Sequence, residues 1–246
     1  MKFQTVILLI FVVACTYAIT PDRNRRIVGG VNVLPGQIPH QALLSFFNTD
    51  FYFAGATLLN DRWVVSVANY LEGRAQNSIG IVVGAASLTG TVPTFQSDTI
   101  IIHENFNRNT MQNNIALVRS FGHIPTTLFV MPIQLNPSII EHGMIATTSG
   151  FGATQPSIGP DSNFLQSRNI AVVTCIPNEY FNPVSQHLCT LPAICTRDIG
   201  GPLTLNNQLI GISLWHHPLR CGDQQSDIDV YVRITSFATW INSRIN

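Results

Sequence analysis

Apolar residues beyond residue 27 recur in short runs that are rich in Val, Ile, Thr and Phe and that end at Gly, Pro, Asn or Ser. Runs of roughly four to eight residues bounded by turn residues have the length of β-strands and are too short for typical helices. The runs are QALLSFF, YFAGATLL, WVVSVANY, IGIVVGAAS, FQSDTIIIH, NIALVRS, MIATTSGFG, RNIAVV, PLTLNNQLIGISLW and VYVRIT. The pattern therefore predicts an all-β protein.

Two local signals add detail to this pattern. Asn206 and Asn207 separate two apolar runs and predict the tip of a β-hairpin. The tail SFATWINSRI spaces its large apolar residues as on one face of a helix, which predicts a closing amphipathic helix. No repeat or linker divides the chain, so one barrel-type unit and two small barrels in tandem both remain open.

The first residues, MKFQTVILLIFVVACTYA, have the layout of a secretory signal over residues 1–18. Lys2 precedes an apolar run over residues 6–13, and small residues follow at Thr16 and Ala18. A membrane span is disfavoured because the run is short and no second apolar stretch of about 20 residues follows. The sequence therefore predicts a secreted, extracellular protein with no membrane partner.

Lys2 is the only lysine, and it lies within the predicted signal. From Ile27 onward, nine arginines stand against twelve acidic residues, a formal charge of −3. A basic stripe or patch is the electrostatic requirement for binding nucleic acid, and this balance provides none. Nucleic acid is therefore excluded as an expected partner.

Four cysteines remain once Cys15 is assigned to the signal: Cys175, Cys189, Cys195 and Cys221. An even number in a secreted chain favours two disulfides, for which the residues alone leave three pairings open. Metal ligation is the alternative, but no pair has Cys-x-x-Cys spacing and no histidine stands at finger-like spacing. We therefore expect disulfides, no metal and no cofactor.

Six stretches follow one another in a distinctive order: RIVGG, WVVSVANYL, NNIALV, CTRDIGGP, SLWHHPLRCG and DVYVRIT. They resemble the chymotrypsin-like serine proteases, whose matching motifs are typically IVGG, WVLTAAHC, NDIALL, GDSGGP, SWGxGC and GVYxRV. For residues 27–246, the resemblance implies two packed antiparallel six-stranded β-barrels, a cleft between them and a C-terminal helix. It also implies a short activation propeptide over residues 19–26.

The resemblance places three non-reactive side chains at the catalytic positions. Asn69 stands where the family has its general base, and its amide is not basic enough to take a proton near neutral pH. Asn114 replaces the aspartate that orients this base, and Ile199 replaces the nucleophilic serine. Arg197 replaces a glycine of the oxyanion hole, where a close backbone approach is needed.

These changes lead to the expectation that the protein is not an enzyme but a catalytically inactive serine protease homologue, a kind often seen in arthropods. It would act by binding another extracellular protein, as a cofactor, decoy or regulator of a protease pathway or as a component of a secretion. A secreted serine-type endopeptidase is the alternative, and a small-ligand or carbohydrate binder is a third. His216 and His217 offer a base or metal pair, although adjacent exposed histidines are more often only solvated.

The resemblance also indicates an activation switch. In the family, cleavage after the residue matched by Arg26 frees the amine matched by Ile27, which pairs with the carboxylate matched by Asp198. A buried ammonium and a buried carboxylate each need the other. A trypsin-like activating protease is thus a further expected partner, while the alternative is that these residues are relics.

Pocket positions follow from the resemblance at Ala193, Trp215, His216 and Asp229. Ala193 replaces the aspartate of trypsin-like members, and His216 and Asp229 replace glycines that line the pocket. We expect these larger side chains to narrow or block the pocket. The alternative is that Asp229 forms an acidic wall that grips a basic side chain.

The resemblance pairs Cys175 with Cys189 and Cys195 with Cys221. In the chain-entropy account, which depends on the model used, closing such loops contributes roughly 3 to 4 kcal/mol each.

Overall fold

The computed structural model describes residues 27, 29–153, 162–179, 181–217, 221 and 228–245. The predicted signal, the predicted propeptide and Arg26 lie outside the described residues. Within them, strands dominate, in agreement with the all-β prediction.

Six strands close the first barrel, in the order β2-β3-β4-β7-β6-β5. Their bounds are β2 Gln41–Phe46, β3 Tyr52–Leu58, β4 Trp63–Ser66, β5 Ile79–Val83, β6 Thr94–Ile102 and β7 Ala116–Ser120. All neighbours pair antiparallel.

The second barrel is built from β9, β10, β11, β14, β13 and β12, and pairing of β9 with β10 closes it. Their bounds are β9 Ile145–Gly150, β10 Gln166–Val173, β11 His187–Thr190, β12 Pro202–Leu205, β13 Gln208–Trp215 and β14 Asp229–Arg233. Two short strands attach to it, β1 Val31–Asn32 on β10 and β8 Gln134–Leu135 on β13. The predicted pair of six-stranded barrels is thereby confirmed.

Most of the predicted apolar runs form strands, but β11 was not among them. Its four residues, HLCT, are too few to show an alternating pattern. They become a fully buried strand because β10 and β14 supply hydrogen-bonding partners on both sides.

Both local predictions are confirmed. Asn206 and Asn207 adopt positive φ angles of 50° and 57° between β12 and β13, as a tight hairpin requires. The closing helix, α1, spans Ala238–Ile245 after a 3₁₀ turn over Ile234–Ser236. Its Ile241 and the preceding Phe237 are buried in the core of the second barrel.

The structure contains both disulfides with the pairing that the resemblance implied. Cys175 is bonded to Cys189, and Cys195 is bonded to Cys221. The second bond anchors the start of a 3₁₀ turn over Thr196–Asp198, which carries the catalytic-site motif. Disulfides persist in oxidising compartments, so both bonds are compatible with an extracellular location.

The two barrels meet where strand β3 crosses the loop after this turn. The Gly55 N–H donates to the Ile199 carbonyl over 2.7 Å, and a Cβ on Gly55 would lie 2.6 Å from the Gly201 nitrogen. Gly200 has a φ of +92°, and a Cβ there would collide with the Gly55 carbonyl and the Ser66 hydroxyl. Only glycines allow this approach between the two backbones.

Two histidines are buried at the edges of the barrels. His40 is 5 % exposed, its Nε2 has no hydrogen-bond partner among the described residues, and burial lowers its pKa to about 4. His187 is 2 % exposed, its Nδ1 accepts from the Val184 N–H, and burial likewise lowers its pKa to about 4. Both side chains are therefore held neutral by the fold.

Replacing Gly200 with alanine should lower the free energy of unfolding more than the same change at Gly90. Both glycines have a φ of +92°, but nothing lies within 4 Å of a Cβ at Gly90. Gly90→Ala therefore carries only the left-handed backbone cost of about 1–2 kcal/mol. Gly200→Ala adds the overlap with the first barrel. Denaturant titration measures both, and equal losses would show that the barrels do not depend on this contact.

The contribution of His40 and His187 to the free energy of unfolding should fall as the pH drops from about 6.5 to about 4. Buried Asp229, whose pKa is raised to about 8, opposes part of this fall. In this window both histidines are protonated in the unfolded chain but stay neutral in the folded one. Each histidine therefore lowers the free energy of unfolding by about 1.4 kcal/mol per pH unit. Above about pH 6.5 both histidines are neutral in the folded and in the unfolded chain, so this loss of stability disappears. His40→Gln should reduce the slope, measured by urea titration at several pH values, whereas the exposed-residue control His142→Asn should not. An unchanged slope in His40→Gln would contradict the assignment.

Candidate active site

The positions singled out by the sequence converge at the junction of the barrels. One side is a 3₁₀ turn over Ala68–Tyr70, which follows strand β4. The other side is the turn over Thr196–Asp198, which the Cys195–Cys221 bond and the contact with Gly55 fix in place. The structure thus brings together residues that lie far apart in the sequence.

Asn69 and Asn114 are joined by two hydrogen bonds. The Asn69 backbone N–H donates to Asn114 Oδ1 over 2.9 Å, and Asn114 Nδ2 donates to Asn69 Oδ1 over 3.1 Å. Asn114 is 1 % exposed, so these bonds satisfy a buried amide. Asn69 and Asn114 are therefore held next to each other, as the family's base and the aspartate that orients it would be. They are joined by one backbone and one side-chain amide donor, and neither side chain carries a charge.

Met111 completes this network, and sequence analysis missed it. Asn114 Nδ2 also lies 3.3 Å from the Met111 Sδ atom. Met111 and Asn113 have positive φ angles of 55° and 54°, which turn the segment before β7 into the cleft. A methionine in a loop carries no catalytic signal in a sequence, so only the fold could place it here.

Ile199 follows the second turn, is 4 % exposed and belongs to the core cluster of the second barrel. Hydrocarbon at this position adds packing and supplies no nucleophile. Together, Ile199, Asn69 and Asn114 contain no basic nitrogen and no hydroxyl, so the serine mechanism of the family has no starting groups at these positions.

Arg197 lies within the second turn and is half-buried. It is not one of the described non-glycine residues with positive φ, so the turn accommodates a side chain without the left-handed conformation. The side chain borders a cavity that also contains Asp50 and Tyr52.

Asp198 is buried beneath the same turn, with 1 % of its surface exposed. Its Oδ1 accepts from the Gly152 N–H over 2.8 Å, and its Oδ2 accepts from the Cys195 N–H over 2.9 Å. Ile27 is fully buried in the core of the second barrel. Both side chains are integrated into the fold, while the activation switch with Arg26 stays a prediction because Arg26 lies outside the described residues.

Asp229 lies at the base of the predicted pocket and is 1 % exposed, beneath a fully buried Ala193. Its Oδ2 accepts from the N–H groups of Ala193 and Ile194 over 2.6 and 2.7 Å, and its Oδ1 has no partner among the described residues. Burial raises the pKa of this carboxyl to about 8, and the nearby Asp198 adds to the effect. The base of the pocket is thus closed and polar.

Trp215 and His216 flank this position and are both half-buried. The Trp215 ring packs against Phe181 at 5.4 Å between centroids, beside an open cavity of about 390 Å³ that Met111 also lines. His216 Nδ1 lies 3.0 Å from the His217 carbonyl, and burial lowers the pKa of His216. The cleft beside Trp215 thus has an aromatic wall, and Met111, which also lines it, contacts Asn114 of the Asn69–Asn114 pair.

Across the described ranges, the His, Cys, Asp and Glu side chains form no group of three or more that could hold a metal ion. Nor does that part of the chain include a helix long and apolar enough to cross a membrane.

Comparisons with known proteins place the chain in a family. The family model named Trypsin matches residues 27–241. Serine protease SP24D of Anopheles gambiae is 31 % identical over 230 residues, covering 90 % of this chain and 82 % of that protein. Brachyurin of Leptuca pugilator is 27 % identical, covering 89 % of this chain and 98 % of its own. A trypsin of Xenopus laevis is 28 % identical over 100 % of this chain and 99 % of its own.

A solved structure supports the fold. The serine protease neuropsin of mouse brain superposes with a TM-score of 0.79, covering 89 % of this chain and 100 % of its own, at 24 % identity. This identity is low enough that the similarity bears on the fold alone.

These comparisons contradict the expectation that the protein is not an enzyme. The family model is named Trypsin, and the relatives from Xenopus laevis and Anopheles gambiae are named as a trypsin and a serine protease. The expectation went too far because the side chains at Asn69, Asn114 and Ile199 bear on one mechanism, the serine triad, and not on every chemistry available to the fold. An arthropod origin stays a prediction.

The family match over residues 27–241, together with two closed six-stranded barrels and a C-terminal helix, shows that this chain belongs to the trypsin family of chymotrypsin-like serine proteases.

Proposed function

We propose that the protein is a secreted member of the serine endopeptidase family that binds a polypeptide segment of another extracellular protein in the cleft between its barrels. The observation that carries the proposal is the open cleft beside Trp215, which Phe181 and Met111 line together with polar residues. Met111 links this cleft to the catalytic positions through its contact with Asn114. Polypeptide binding is the step that family members share before any bond is cut.

The walls of the cleft suit an extended peptide. Trp215 is the last residue of strand β13, and the pairing of β13 with β14 shifts register beside it. Such an irregularity at the end of a strand leaves backbone groups available to a segment lying alongside. Phe181 and Met111 then offer apolar surface to alternate side chains of that segment.

The pocket beneath the cleft favours small or apolar side chains over basic ones in this proposal. Asp229 is shut off from solvent, and one of its oxygens is already used by two backbone N–H groups. Burial raises the pKa of Asp229 to about 8, so near neutral pH the carboxyl gives a basic side chain little charge to pair with. The interpretation of the pocket as filled by its own side chains is therefore preferred to the acidic-wall alternative.

Hydrolysis of the bound polypeptide is the activity that the names of the relatives favour. Cleavage by a trypsin-like protease after Arg26 would release Ile27 and is part of the proposal, since RIVGG matches the family motif. Binding and cleavage are separate outcomes of one experiment.

Affinity selection from a synthetic library of short random peptides should enrich a subset of sequences, identified by mass spectrometry. Trp215→Ala should abolish or strongly reduce this enrichment because the aromatic wall of the cleft is lost. Phe121→Ala is the matched control, since Phe121 is 76 % exposed on the first barrel and should not contribute.

The same spectra show whether the selected peptides are cut. Cut peptides would establish the endopeptidase alternative, and intact ones would place the function in binding. An absence of enriched peptides, or equal enrichment by Trp215→Ala and the unaltered protein, would overturn the proposal.

Introducing the family's reactive groups should raise hydrolysis of peptide esters. The triple variant Asn69→His, Asn114→Asp and Ile199→Ser should exceed its matched control, which carries Ile199→Ala in place of Ile199→Ser, by about 10²-fold or more in kcat/KM. The reason is that the backbone already holds these positions together. Equal rates in the two variants would show that the barrels do not align the three positions.

A further inference from the structure

Arg197 borders a cavity of about 810 Å³ that lies outside the cleft just described. The cavity is walled by residues of the hairpin between β2 and β3 and by residues of the segment that leads into β6. The hairpin contributes Phe47, Asn48, Thr49, Asp50 and Tyr52, and the segment contributes Leu88, Gly90, Thr91, Val92 and Thr94. Arg197 is two residues from Ile199 in the sequence, and none of the described residues that line this cavity lines the cleft beside Trp215.

The charges in this cavity are arranged asymmetrically. Arg197 is the one basic residue and Asp50 the one acidic residue among the described residues that line it. Arg197 is half-buried, whereas Asp50 is exposed at the tip of the hairpin. Solvent screens an exposed charge more strongly than a half-buried one, so the Arg197 charge is the less screened of the two.

Both charges affect the pKa of the Tyr52 phenol. Tyr52 is 8 % exposed, and burial and the Asp50 carboxylate raise the pKa of its phenol while Arg197 lowers it. Both charges therefore act on the hydroxyl of Tyr52, which lines the same cavity as Arg197 and Asp50.

We propose that this cavity, here called the Arg197 cavity, binds a carboxylate of the polypeptide that occupies the cleft, with the Arg197 guanidinium as its partner. Guanidinium presents five N–H donors in a planar fork, so it can accept a carboxylate in addition to its present contacts. The Tyr52 phenol and the amide side chain of the hairpin residue Asn48 provide further donor groups in the wall. The inference rests on the proposed function, because it specifies which polypeptides the protein prefers.

The arginine that stands at position 197 in place of the family's glycine thus has a role in selecting ligands by charge. A glycine at this position would leave the cavity without positive charge, and Asp50 would then repel acidic ligands. Arg197 attracts acidic ligands where it borders the cavity, and Asp50 repels them where it borders the cavity. The two residues should therefore have opposite effects on acidic ligands.

The test uses the same random peptide library, prepared once with free and once with amidated C-termini, on the full chain and its variants. The unaltered protein should enrich peptides that contain Glu or Asp at one position. Arg197→Gln should weaken the binding of a selected acidic peptide about tenfold, as loss of a hydrogen bond to a charged group predicts. Asp50→Asn should strengthen it.

The control Arg244→Gln removes the same charge from the C-terminal helix, far along the chain from this cavity, and should leave the preference unchanged. Persistence of acidic enrichment in the amidated library identifies a side-chain carboxylate as the ligand group. Enrichment of free-acid peptides that amidation abolishes, with no preference for Glu or Asp, identifies the chain terminus. Either result supports the proposal when Arg197→Gln removes the enrichment.

Enriched peptides that need neither an acidic side chain nor a free C-terminus, or a carboxylate preference that Arg197→Gln leaves intact, would overturn the inference and leave the proposed function standing. An absence of enriched peptides, or enrichment that Trp215→Ala leaves unchanged, would overturn the proposed function itself.

Discussion

The close contact between Gly55 and the segment from Ile199 to Gly201 is the constraint on which the rest of the structure depends. One backbone hydrogen bond joins a strand of the first barrel to the catalytic-site loop of the second. Because neither Gly55 nor Gly200 carries a Cβ, the two backbones meet at a distance that side chains would prevent. The Asn69–Asn114 pair, Ile199, Arg197 and the cleft all owe their proximity to it.

The site shows how a protein can keep an arrangement while changing the chemistry of its groups. Asn69 and Asn114 satisfy each other's amides in a buried place where two unpaired polar groups would be destabilising. Ile199 joins the core that lies beneath it. Each substitution is thus compatible with the packing around it, which explains why the family's fold persists with a different set of side chains at its centre.

Electrostatics divide the surroundings of the site into closed and open parts. Asp198 and Asp229 are buried and use backbone N–H groups as partners, so they organise loops and are inaccessible to ligands. Arg197 borders an open cavity instead. The arginine beside Ile199 thus borders open space, whereas these two carboxylates are enclosed by the fold.

The sequence by itself determined the strands, the hairpin tip at Asn206–Asn207 and the closing helix, because these depend on local periodicity and on turn residues. The motif resemblance added the barrel architecture and the disulfide pairing, and it identified Asn69, Asn114 and Ile199. Only the tertiary structure decided the roles of β11, Met111 and the Arg197 cavity. Strand β11 is too short for a pattern and depends on both neighbours, and Met111 enters the site through backbone angles that its side chain does not encode. The direction of the Arg197 side chain depends on a hairpin almost 150 residues earlier in the chain, and a contact at that separation is invisible until the barrels pack.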